Sequence, residues 1–179
     1  MGAVMASLLR FLGVRSGEDA AAVPAETDTV RRIAARLDQL DPQVAKYLAA
    51  FAYVLARVAH ADLAIHEAET REMQEIVRRV GKLSENEAVL AVEIAKSQAR
   101  VLGGTENYVV TREFRRISSA EQRARLLECL YAVAAADGSI STIESQEIQS
   151  IADELGFTRA EANALRGHYR DQLAVLRKG

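Results

Sequence analysis

Cysteine occurs once in these 179 residues, tryptophan is absent, and there are only two prolines, four phenylalanines and five tyrosines. A lone Cys129 excludes an intrachain disulfide, so a reducing, cytoplasmic setting is expected. Its surroundings, LLECLYAV, are apolar, and a packed thiol is expected rather than a nucleophile. No apolar run approaches the roughly 20 residues that a membrane-spanning helix needs. Charge of one sign is not in excess either. The net charge is −2, which speaks against wholesale binding of nucleic acid. No phosphate loop, no G-x-S-x-G turn and no Ser/His/Asp arrangement occurs. A non-enzymatic protein is therefore expected.

What is abundant is alanine, leucine, glutamate and arginine. No stretch alternates as a strand does, and every periodic segment reads as helix. The first 14 residues, in MGAVMASLLRFLGVR, place Val4, Met5, Leu8, Leu9 and Leu12 on one side of a short amphipathic helix. Arg10 interrupts the apolar stretch where a secretory signal would have none. Ala6 stands where myristoylation needs Ser or Thr. Docking on the body of the protein, or disorder, is favoured over peripheral membrane contact, because a single arginine attracts lipid weakly. RSGEDAAAVPAET then reads as a linker, so residues 1–27 form a segment separate from a helical domain over 28–179.

Start and stop signals divide that domain. Helices are predicted from Asp28 to Leu40, from Asp41-Pro42 to Ala61, and from His66 to Val80 with a stop at Gly81. Ser84 with Glu87 forms a capping box for a helix reaching Leu102, ended by Gly103-Gly104. Glu106–Ile117 follows. Ser118 and Ser119 cap a helix to Ala136. Ser141 with Glu144 caps one to Leu155, and Thr158 with Glu161 caps the last, to Leu176. The pattern predicts an all-α bundle of about seven helices.

The chain also repeats itself. Sliding it by 75 residues lays AHADLAIHEAETREM on AAADGSISTIESQEI. From Ala59 to Gly81 the two copies share nine of 23 positions, where unrelated sequences would share about two. Asp62 falls on Asp137, Glu69 on Glu144, Glu72 on Glu147 and Gly81 on Gly156. Two helix-turn-helix units of this kind would pack about a pseudo-twofold axis. In the first copy the stripe Phe51, Leu55, Val58 leads to Asp62; in the second, Leu126, Leu130, Val133 leads to Asp137. Glu69 begins the stripe Met73, Ile76, Val80, and Glu144 begins Ile148, Ile151, Leu155. Four carboxylates thus end inward-facing stripes. Buried there, they would need a partner: backbone N–H groups, arginine or a metal ion.

The second copy resembles part of a calcium loop, but Val133 and Ala135 stand where an EF-hand needs oxygen ligands. Helix capping explains Asp137, Gly138, Ser141 and Glu144 without any ligand. It explains the first copy less well, since His66 replaces the serine while Asp62 and Glu69 remain. His60, Asp62, His66, Glu67 and Glu69 could ligate zinc, yet Thr70 stands where a zinc-protease motif needs its second histidine. His168 sits in an ordinary polar stretch. Arg112, Arg115 and Arg116, with Tyr108 and Phe114, read as a solvated helix face rather than a nucleic-acid patch. Tyr47, Tyr53, Tyr131 and Tyr169 read as core or rim packing.

AHADLAIHEAE and AAADGSISTIE, each followed by a helix that ends at glycine, resemble the tellurite-resistance TerB family. So do YVVTREFRRISSAEQRARLLECLYAVAAA and TRAEANAL, and the resemblance covers about Asp28 to Leu176. It implies a seven-helix bundle with pseudo-twofold symmetry and a stress-response role exerted through protein partners. It also implies divalent-metal binding at acidic positions, which here fall on Asp62, Glu69, Asp137 and Glu144. No enzymatic activity is implied. Leu63 departs from the pattern, lacking the turn glycine that Gly138 supplies in the second copy. The residues by themselves leave a second reading open, in which the carboxylates only cap helices and bridge the two halves.

Overall fold

The computed structural model describes residues 28–59, 67–98 and 104–172. Eight α-helices occupy them: α1 (Asp28–Asp38), α2 (Pro42–Ala59), α3 (Glu67–Gly81), α4 (Glu85–Gln98), α5 (Gly104–Ile117), α6 (Ala120–Ala134), α7 (Thr142–Leu155) and α8 (Arg159–Gly167). A 3-10 turn, Arg170–Gln172, follows. The described residues contain no strand, so the all-α expectation holds. The described helices number eight, one for each of the eight segments that the start and stop signals delimit, so about seven is a low count of the same pattern. The amphipathic segment expected over residues 1–14 and its linker lie outside the described residues.

Short polar signals set most helix starts. Asp41 accepts a hydrogen bond from the Gln43 backbone N–H through Oδ1, and Pro42 takes the first helical position of α2. Ser84 and Glu87 exchange reciprocal bonds at the start of α4. Ser119 with Gln122, Ser141 with Glu144 and Thr158 with Glu161 do the same for α6, α7 and α8. Each box satisfies two backbone N–H groups that the helix itself leaves unpaired.

Helix ends depart more from expectation. Gly104 opens α5 instead of closing α4. The last long helix stops at Gly167, well short of Leu176. The two aligned glycines also do different work. Gly156 is left-handed, with φ at +85°, and closes α7. Gly81 is still helical, and Lys82 takes the left-handed position at φ +57°. What Gly81 supplies is clearance, since a Cβ there would come within 3.2 Å of the Phe51 ring.

α2 is the centre of the bundle. It packs against α4, α5, α6 and α7, with α1 across one end. Every residue from Leu48 to Ala56 is buried. The sequence pattern assigned α2 a single inward stripe, but its near-absence of charge makes it apolar all round, as a buried central helix must be. Its alanines let neighbouring helices approach closely. The stripes of α6 and α7 point inward as expected, with Leu126, Leu130, Ile148, Ile151 and Leu155 buried. On α3 Met73 is buried as expected, but Val77 joins it while Ile76 and Val80 are only half-buried. Tyr47, Phe51 and Phe114 form an aromatic cluster between α2 and α5, with ring centroids 5.3 to 6.4 Å apart. Phe114 is therefore core, while Arg112 and Arg116 beside it are exposed. Arg112 stacks over Tyr108 and Arg116 pairs with Glu113.

Candidate acidic cleft

α3 packs across α6, and α6 turns into α7 through Ala135–Ser141. Where these elements meet the end of α2, they leave a cleft of about 310 Å³. Its floor is apolar and includes Val58, Met73, Ile76 and Val133. Val58 and Met73 are buried, whereas Ile76 and Val133 are only half-buried. Four carboxylates line it as well: Glu69 and Glu72 from α3, Asp137 from the turn, and Glu144 from the first turn of α7. On α3 the helical spacing of positions 69, 72, 73 and 76 puts acid and floor on one face.

Three of the four expected site residues, Glu69, Asp137 and Glu144, therefore line one cleft. They come from both copies of the repeated stretch, and α3 of the first lies against α6 of the second. Asp62, the fourth, lies outside the described residues, as do His60 and His66. Glu72, about one turn beyond Glu69 on α3, lines the cleft too.

Asp137 and Glu144 each serve their own turn. Asp137 Oδ1 accepts from the Ser139 N–H at 3.0 Å, which tightens the turn around Gly138. Glu144 Oε2 accepts from the Ser141 N–H at 2.8 Å, while Ser141 Oγ accepts from the Glu144 N–H at 3.1 Å. Glu69, Glu72 and Asp137 are exposed and Glu144 is half-buried. The expected burial is thus not found for Glu69 and Asp137, and only partly for Glu144. Water solvates them at the mouth, so burial does not force a ligand on them.

The repeat is also unequal. Glu147, the counterpart of Glu72, turns away from the cleft and meets Arg57 Nε at 2.7 Å. Arg57 Nη1 reaches Glu154 at 2.7 Å and donates to Thr111 Oγ1 at 2.8 Å. Burial works against the Arg57 charge, but the Glu154 and Glu147 carboxylates more than offset it and raise its pKa. The position 75 residues after Arg57 is Ala132, so the helix leading into the second copy has no equivalent arginine. This buried cluster was not read from the sequence. The available signal was one arginine inside an alanine- and leucine-rich helix.

The donor set of the cleft is carboxylate oxygen, which suits hard cations such as calcium or magnesium. Among the described residues, however, no three His, Cys, Asp or Glu side chains converge closely enough to hold an ion. The strongly shifted groups lie elsewhere. Burial pushes the Cys129 thiol and the Tyr47 phenol up to about 12, and neither lines the cleft. None of the described helices is long and apolar enough to cross a membrane.

A family model described as Tellurite resistance protein TerB matches residues 48–167. The match begins within α2 and ends with α8, taking in seven helices and leaving α1 outside. No curated protein and no solved structure matches the chain significantly.

Proposed function

Since the chain belongs to the tellurite resistance protein TerB family, we propose that it is a non-enzymatic stress-response module that works by binding protein partners and takes up a divalent cation at its acidic cleft. One observation carries the cation reading: Glu69 and Glu72 of one repeat copy share a cleft with Asp137 and Glu144 of the other. An ion held there would draw the two copies together and change the surface offered to a partner. Hard oxygen donors favour calcium or magnesium over softer ions.

A second reading rests on the hydrogen bonds. Asp137 and Glu144 each already serve a turn or a cap. In that reading the carboxylates only hold the turn and cap α7, and the outer surface carries the function.

Native mass spectrometry separates the two. Protein dialysed against chelator is offered calcium, magnesium, manganese and zinc in turn, beside the Asp137→Asn/Glu144→Gln double variant. Asn can keep the turn hydrogen bond and Gln can keep the capping box, so the variant removes charge without removing the fold. A stoichiometric adduct lost in the variant supports the cation reading. No adduct with any ion leaves the structural one.

A further inference from the structure

From the cleft's mixed lining we infer that it docks the chain's own N-terminal residues 1–15, with Arg10 at the acidic rim and Leu9 and Leu12 over the apolar floor. A bare cation would answer the carboxylates and leave Ile76 and Val133 half-buried against water. An occupant that answers both parts must join a cation to apolar side chains. The volume, about 310 Å³, is at the small end of ligand pockets and suits a few side chains rather than a whole helix.

MGAVMASLLRFLGVR has that chemistry. Arg10 stands between Leu8-Leu9 and Phe11-Leu12, Arg15 follows, and there is no acidic residue before Glu18. The acids of this region, Glu18, Asp19 and Glu26, all fall in the stretch that follows. Cationic and anionic parts are thus kept apart, and only the first opposes the charge of the cleft. Reach is sufficient. Residues 16–27 can extend to about 40 Å, against a radius of gyration of about 15 Å for a domain of this size. A tethered segment also needs little intrinsic affinity, because its effective concentration is on the order of millimolar.

Photo-crosslinking on the full chain tests this. Benzoylphenylalanine replaces Leu9 in one variant and Leu12 in another, and both are irradiated in chelator. Crosslinks within one chain to Met73, Ile76 or Val133, from either position, are expected. Adding Arg10→Glu should cut their yield about fivefold, the effect of roughly one ion pair. Crosslinks to other parts of the domain, to a second copy, or none at all from both positions would overturn the inference. So would crosslinks that appear only when anionic phospholipid vesicles are present. No metal enters the experiment, so its outcome is independent of the cation adduct.

Discussion

Arg57 Nη1 and Glu154 Oε2 lie 2.7 Å apart although 97 residues separate them in the chain. The arginine side chain is only 5% exposed. Through Glu147 and Thr111 the same guanidinium joins α2, α5 and α7. Arg57→Met should therefore cost about 3 kcal/mol in urea unfolding, the low end for breaking a buried pair, because Glu147 keeps a third of its surface in water. Arg57→Met/Glu154→Leu should cost less than the two single changes together. A single-variant loss under about 1 kcal/mol would mean that the cluster is better solvated than its burial indicates.

The capping box at α7 allows a graded test. Glu144→Gln should leave thermal stability nearly unchanged, since the amide oxygen can still accept from the Ser141 N–H. Ser141→Ala should lose about 1 kcal/mol, or about 2–4 °C for a chain of this size. If Glu144→Gln proves as damaging as Ser141→Ala, the charge of Glu144 matters beyond the cap.

Glycine substitutions should rank by backbone and by space. Gly156→Ala forces a side chain onto φ +85° and sets its Cβ 2.6 Å from Arg115 Cζ. A loss of about 1–2 kcal/mol is expected, most of it backbone strain, since the exposed Arg115 can swing away. Gly138→Ala carries the same kind of strain at φ +96° with no atom within 4 Å of the new Cβ, so it should cost no more. Chemical denaturation of both variants checks the order.

Stability should fall on the alkaline side. Burial raises the Cys129 pKa from 9.0 to about 12, and burial raises that of Tyr47 from 10.0 to about 12. In both, the folded state holds its proton longer than the unfolded chain does. Their contribution is full below pH 9 and is lost as pH rises toward 12. Between pH 9 and 10 Cys129 dominates, with a slope of at most about 1.4 kcal/mol per pH unit. Urea midpoints from pH 8 to 10.5 should decline for the natural chain. They should decline less steeply between pH 9 and 10 for Cys129→Ala, whatever that variant loses in packing.

Much of the fold was legible because its signals are local. The pairs Ser84/Glu87, Ser141/Glu144 and Thr158/Glu161 sit three residues apart and cap wherever they stand at a helix start. The stripe of α7, Ile148, Ile151 and Leu155, is buried as its spacing requires. Glycine was read less well. Gly81 and Gly156 align in sequence, yet one supplies clearance for Phe51 and the other a left-handed turn. The difference lies in what packs beside each.

By itself, the sequence determined the helical class, most helix starts, and the pairing of Asp137 and Glu144 with their own turn. Each follows from hydrogen bonds and periodicity within a few residues. Only the tertiary structure decided that Glu69 and Glu72 share a cleft with them, that its rim is solvated, and that Glu147 leaves it for Arg57. Those outcomes depend on which helices meet and at what depth. That is fixed by burying α2 on all sides, a property of the whole bundle that no short stretch carries.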